Sequence, residues 1–209
     1  MGQIIKLPTQ ASKLGFKRVR RRQRPSEDQN QLPLFPGAEA QILSLESGLS
    51  RFEQALMLDE RGELRAAELY ARAIEEQDCV SDAYCNLGII ESKKGNNAKA
   101  FDCFTAALKH NPRHTEAHYN LGNLYFEVND FRLAQVHYEI VCEVDPAFAN
   151  AYFNLALVQA INNDFSAAVS ALDKYQALVS EDEGRIAREL LQDLKKSLPS
   201  PATNRTGTK

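Results

Sequence analysis

A period of 34 residues runs through the middle of this chain and leaves it few folds to adopt. Ser81 to His114 reads SDAYCNLGIIESKKGNNAKAFDCFTAALKHNPRH. Moved along by one period it falls on Thr115 to Phe148, and by another on Ala149 onward. Moved back once it falls, more loosely, on Ser47 to Val80. A fixed period of this size marks stacked helical hairpins, none of which can bury its apolar face alone.

The matching positions have a steric logic. Ala66, Ala100, Ala134 and Ala168 share one register, and Gly88, Gly122 and Ala156 another. Small residues there let the two helices of a hairpin approach closely. Leu87, Leu121 and Leu155, with the larger Tyr70, Phe104, Tyr138 and Leu172, stand where they fill the seam. Pro112 and Pro146 stop each second helix, since proline lacks an N–H and clashes with the preceding turn. Gly95 and Asn129 stand where the first helix must end, a place that favours left-handed backbone. The first unit departs from the pattern: Gln54 stands for the small residue, Glu53 for the leucine and Asp78 for the proline.

This spacing resembles the tetratricopeptide repeat, through Tyr84, Leu87, Gly88, Ala100, Phe104, Ala107 and Pro112 in one unit and His118, Leu121, Gly122, Tyr125, Ala134, Tyr138 and Pro146 in the next. The resemblance covers about two-thirds of the chain, from near Ser47 to near Tyr175. It implies an all-α, right-handed α-solenoid of about four hairpins, with an extended peptide as the usual ligand of the concave face. The predicted array occupies residues 41–180, with units near 47–80, 81–114, 115–148 and 149–180. Its helices are expected near Leu49–Glu60, Glu63–Gln77, Asp82–Lys94, Asn97–His110, Glu116–Val128, Phe131–Glu143, Asn150–Asn162 and Phe165–Val179.

The flanks read differently. Residues 1–30 hold eight cations against Glu27 and Asp28, a charge of +6; since the whole chain carries −3, the remainder carries −9. Residues 1–40 form a basic, proline-containing arm with too little apolar surface to offset ordering, so a disordered arm with short binding elements is expected. At the other end Ile186, Leu190, Leu191, Leu194 and Leu198 recur at helical spacing, with acids first and lysines last. Residues 181–198 are therefore expected to cap the exposed apolar end of the array, leaving 199–209 as a disordered tail. No stretch reaches the length of a membrane span and no signal peptide opens the chain. Lys6 stands where a myristoylation site wants Ser or Thr. Cys79, Cys85, Cys103 and Cys142 form no CxxC pair and fall on the helices, which fits a reducing, cytoplasmic setting.

The register also predicts the lining of the groove. Lys93 is expected there from the second unit, Tyr119, Asn123 and Phe126 from the third, and Phe153 from the fourth. Asn86, Asn120 and Asn154 occupy one repeat position. A carboxamide donates and accepts together, so a row of them can hold an extended backbone without reading its sequence. They resemble the asparagine ladder of some tetratricopeptide proteins. A clamp for a terminal carboxylate would need more inward cations than Arg51 and Lys93; Glu116 and Asn120 stand where further ones belong.

In the arm, Lys17, Arg18, Arg20, Arg21, Arg22 and Arg24 form a run with three readings: a solubilising tail, an import signal in a nucleated cell, or a contact for nucleic acid or another polyanion, weak and without sequence preference because it works through counterion release. Gln31, Leu32, Leu34 and Phe35, within QLPLF, resemble the QLxLF peptide with which bacterial replication and repair proteins dock on the sliding clamp. The competing reading is a proline-rich linker that docks its Leu and Phe onto the first hairpin. His110, His114 and His118 are evenly spaced, but Pro112 interrupts the helix and the three cannot share a face, so no metal site is read. No nucleophile–base pair or phosphate loop is found, and no cofactor is expected. The chain reads as a non-enzymatic adaptor that holds a protein segment. The alternative is a nucleic-acid-associated accessory factor whose repeats recruit a partner.

Overall fold

The computed structural model describes residues 15–20 and 48–197. Among these the regular structure is wholly helical: α1 (Arg51–Glu60), α2 (Ala66–Glu75), α3 (Val80–Lys93), α4 (Asn97–His110), α5 (Thr115–Glu127), α6 (Phe131–Val144), α7 (Ala149–Ile161), α8 (Phe165–Leu178) and α9 (Arg185–Ser197). The eight helices of the array and the terminal one lie within a few residues of their predicted bounds. None is long and apolar enough to cross a membrane. The chain divides into two compact bodies. Among the described residues, the amino-terminal body runs from Lys17 to Ala117, and the carboxy-terminal body from His118 to Ser197 together with Gly15 and Phe16.

Punctuation residues set the hairpins. Gly62, Gly95, Asn129 and Asn163 adopt φ of 73°, 80°, 62° and 63°, each two residues beyond the first helix of its hairpin. Glycine or asparagine accepts this left-handed geometry at low steric cost. The following residues Asp130 and Asp164 then cap α6 and α8: their Oδ1 atoms accept from the Leu133 and Ala167 N–H groups, both at 3.1 Å. That satisfies a donor the helix leaves orphaned. Pro112 and Pro146 follow two residues after α4 and α6 end. The first hairpin has no such proline; Gln77 and Cys79, with φ of 58° and 48°, turn the chain into α3 instead.

Close contact within hairpins explains the small residues. A Cβ on Gly88 would lie 2.7 Å from Cε1 of Phe104, and one on Gly122 equally close to Cε1 of Tyr138. In the fourth hairpin Ala156 stands in this register, and Leu172, fully buried, replaces the ring.

The first hairpin corrects the sequence reading. Counted back from its turn glycine, the position of Gly88 falls on Ala55, not Gln54. Ala55 is fully buried, beside Phe52 and Tyr70 in one apolar cluster. The turn from Gly62 to Ala66 is one residue shorter than that from Gly95 to Ala100, which moves α1 by one position against the period. Ser50 and Glu53 form a reciprocal capping box at its start, so Glu53 serves as a cap and not as a failed leucine.

The terminal helix α9 packs on α8. Its buried stripe is Ala187, Leu190, Leu191 and Leu194, while Ile186, expected on that stripe, is exposed. Leu198 and residues 199–209 lie outside the described residues.

Candidate functional site

The amino-terminal body holds a short extended segment of its own chain. Lys17–Arg20 lies against α1 and α3, the first helices of the first two hairpins. The carboxamide of Asn86, on α3, grips the backbone of Val19 from both sides: the Val19 N–H donates to Oδ1 at 2.9 Å, and Nδ2 donates to the Val19 carbonyl at 3.1 Å. The second hydrogen of Nδ2 goes to the Tyr70 hydroxyl at 3.1 Å. Tyr70, on α2, donates in turn to Oδ2 of Asp59 at 3.4 Å. Asp59, at the end of α1, accepts from Nη2 of Arg18 at 2.7 Å. Arg18 Nε lies the same distance from Oδ2, off-line for a hydrogen bond but within the ion pair.

The five groups thus form one connected chain, Val19–Asn86–Tyr70–Asp59–Arg18. It is dry at most points: Val19 is 3% exposed, Asn86 and Tyr70 fully buried, and Asp59 8% exposed. Burial pushes the Asp59 carboxyl up, against the lowering by Arg18 and, on α3, Lys93. Burial and the nearby Asp59 likewise push the Tyr70 phenol far up, so it stays a neutral donor. Lys17 and Arg20 on either side are exposed.

In the carboxy-terminal body, Asn123 of α5 donates through Nδ2 to the Gly15 carbonyl at 3.3 Å. Its Oδ1 accepts from the Tyr138 hydroxyl at 2.7 Å and from Asn154 Nδ2 at 3.1 Å. Asn154, on α7, also donates to the Tyr119 hydroxyl at 3.2 Å. Asn154 Oδ1 is buried and accepts no hydrogen bond among the described residues.

The expected ladder residues therefore differ in what they touch. Asn86, Asn120 and Asn154 are all fully buried, and Asn86 meets the backbone of Val19 with both ends of its amide. Asn154 spends its donors on Asn123 and Tyr119. Of the aromatic residues assigned to the groove, Tyr119 and Phe153 lie in the core and Phe126 is half-buried against it. Tyr119 packs 4.9 Å from Phe148 and 6.0 Å from Tyr138, its hydroxyl pushed up to about 12 by burial. Phe153 packs 5.3 Å from Tyr175, and Phe126 meets Phe131 edge-on at 5.3 Å. The physical reason is register: Tyr119 and Phe153 share a position with Phe52 and Cys85, which are also buried. Lys93 is exposed, near enough to Asp59 to act on its charge.

Arg18, assigned to a polyanion surface, is instead paired with Asp59. Arg21, Arg22 and Arg24, and the motif residues Gln31, Leu32, Leu34 and Phe35, lie outside the described residues. The sequence reading missed Val19, Asp59 and Tyr70 as site residues. An acid on the otherwise apolar buried face of α1 was the available signal for Asp59.

His114 plays a local part. Its Nδ1 accepts from the Ala117 N–H at 3.2 Å, capping α5, which leaves Nε2–H to donate to Asp82 at 2.9 Å. Among the described residues no cluster of three or more His, Cys, Asp or Glu side chains is placed to hold a metal ion.

Comparisons with known proteins agree with this architecture. Tetratricopeptide-repeat family profiles match residues 81–114, 103–136 and 121–183. General transcription factor 3C polypeptide 3 of Homo sapiens is 25% identical over 148 residues, which is 65% of this chain and 16% of that protein. This chain thus spans about a sixth of that relative's length. Among solved structures, YrrB, described as a TPR protein with an unusual peptide-binding site, superposes with a TM-score of 0.56 at 21% identity, covering 70% of this chain and 84% of YrrB. The first TPR of Spaghetti (RPAP3) bound to an HSP90 peptide gives 0.52 at 17% identity, over 56% of this chain and 91% of that one. Such distant structural likeness speaks for the fold alone. With the period, the paired helices and the matched profiles together, the chain belongs to the tetratricopeptide-repeat family.

Proposed function

We propose that the protein is a binding scaffold that holds an extended segment of a polypeptide through main-chain clamps on the first helices of its hairpins. The observation behind this reading is the two-way contact between the Asn86 carboxamide and the Val19 backbone. One side chain there satisfies both polar groups of an extended residue, which a β-strand neighbour would otherwise do. The buried, unpaired Oδ1 of Asn154 favours the same reading. An unsatisfied buried acceptor costs on the order of 1–3 kcal/mol, and an incoming N–H would relieve it. The peptide complexes known for structural neighbours point the same way.

The reading is tested by selecting peptides from an unbiased library on the full-length protein. Binders should lose at least about tenfold in affinity on Asn86→Ala, the loss of two buried hydrogen bonds. A library that yields no Asn86-dependent peptide overturns the proposal. Salt-sensitive binding of duplex DNA that survives Asn86→Ala would favour the accessory-factor alternative instead.

A further inference from the structure

The clamp on Val19 accounts for only half of the contact made by Lys17–Arg20. Asn86 touches main chain and so selects an extended conformation, not a sequence. Asp59 is different. It is a nearly buried carboxylate, and a desolvated charge is costly unless a partner with matched geometry meets it. Arg18 meets it with Nη2 on Oδ1 and Nε beside Oδ2. A guanidinium can span two carboxylate oxygens with fixed donors; an ammonium presents one point of charge. Val19 then enters the most enclosed position of the segment, where a compact β-branched side chain suits the extended backbone. Its neighbours Lys17 and Arg20 are exposed.

Accordingly, we infer that the chain Asn86–Tyr70–Asp59 is a sequence-reading subsite for an arginine followed by a compact apolar residue, that Lys17–Arg20 is its resident occupant, and that a partner protein enters by presenting the same dipeptide in an extended segment and displacing the resident. This rests on the scaffold reading above and names the chemistry of its ligand. Two features make exchange feasible. Arg18, on one side of the ion pair, is still 22% exposed. Asp59 also borders an open cleft of about 210 Å³ shared with Gly62, Ile90 and Lys93, so the carboxylate can be reached without unwinding a helix. Because the resident is covalently attached, it competes at an effective concentration on the order of millimolar. A partner must therefore bind more tightly than the isolated dipeptide contact or add contacts elsewhere.

The test uses full-length protein and a fluorescent peptide of sequence GFKRVR, read by anisotropy. The receptors are wild type and an Arg18→Ser/Val19→Ser variant, whose resident is weakened while the helices are untouched. The variant should bind the probe at least about tenfold more tightly than wild type. A probe with Lys in place of its arginine, and one with Asp in place of its valine, should each bind the variant at least about tenfold more weakly than GFKRVR. A scrambled peptide of the same composition controls for attraction to the acidic array. Equal binding of GFKRVR to wild type and variant overturns the resident role. Equal binding of the arginine and lysine probes overturns the subsite. If all probes bind the variant alike but lose affinity on adding Asn86→Ala, the scaffold reading stands and only the dipeptide selection falls. If no probe depends on Asn86, both fall. Since the lysine-probe comparison needs no change to Asp59, it does not depend on a variant whose folding is in doubt.

Discussion

His118 Nδ1 and His137 Nδ1 face each other at 2.9 Å, so one ring must donate and the other accept. Tyr125 stacks on His137 at 5.4 Å, nearly parallel. Two protonated rings cannot occupy this geometry, because neither would have a lone pair to offer.

Stability should therefore fall on mild acidification. Burial first, and the neighbouring His118 second, depress His137 from 6.5 to about 4. The unfolded chain takes up a proton near 6.5 and the fold refuses it until about 4. Stability from this group is complete above pH 6.5, declines between 6.5 and 4, and is flat below. The ideal linkage is reduced by the partial exposure of the ring to about 1–2 kcal/mol. Urea titrations of wild type and His137→Phe at pH 7.5 and 4.5 check this. The difference between the two proteins should shrink by that amount at the lower pH, and identical pH slopes would refute it.

Gly88→Ala should destabilise although alanine is the better helix former. The new Cβ would sit 2.7 Å from the Phe104 ring, which is fully buried and hemmed in. Overpacking costs about 1–3 kcal/mol and helix propensity returns about 1, so a net loss of about 1 kcal/mol is expected. Adding Phe104→Leu reproduces the pairing of Ala156 with Leu172. The double variant should then be more stable than the sum of the singles by about 1 kcal/mol in chemical denaturation. Simple additivity would show that the ring is not the obstacle.

The Val19 amide should exchange slowly with deuterium, though Val19 itself lies in no helix or strand. Its protection comes from Asn86 Oδ1. In Asn86→Ala it should exchange at least about tenfold faster, while amides inside α8 keep their rates. NMR-detected exchange would disprove the clamp if Val19 were as fast in wild type as in the variant.

Thiol labelling should rank the cysteines. Cys79 is exposed, at the left-handed entry to α3. Cys85 is fully buried, and burial pushes the Cys103 and Cys142 thiols up to about 11 and about 12. Iodoacetamide acts on the thiolate, so mass spectrometry at pH 8 should find Cys79 modified well before the others. Faster reaction at Cys142 would contradict its placement between α6 and its neighbours.

The hairpins could be read from the chain because their boundaries are local. Proline, a left-handed glycine or asparagine, and a capping aspartate act within four residues, so spacing alone places them. The first hairpin misled by one position because the period was counted from Ala66 across a shortened turn; anchoring on Gly62 would have found Ala55. Tyr119 and Phe153 were assigned to the groove because side-chain type does not say which flank of a helix faces a neighbour. Asn86 was read as a contact for a partner's backbone, and in the structure it holds the backbone of its own chain at Val19. Whether residue 19 meets residue 86 depends on a pairing 67 positions apart, and no period or motif encodes that.

The terminal helix α9 limits how this protein could be lengthened. Away from its buried stripe it presents Arg185, Arg188, Glu189, Gln192 and Lys195, all exposed. A duplicated hairpin spliced ahead of α9 would find an apolar surface to join, whereas one grafted onto the outer side of α9 would meet mostly charge and amide, with Ile186 the exposed apolar side chain there. For anyone building longer versions of this scaffold, α9 is a stop signal written in side chains, and the place to cut is the loop before it.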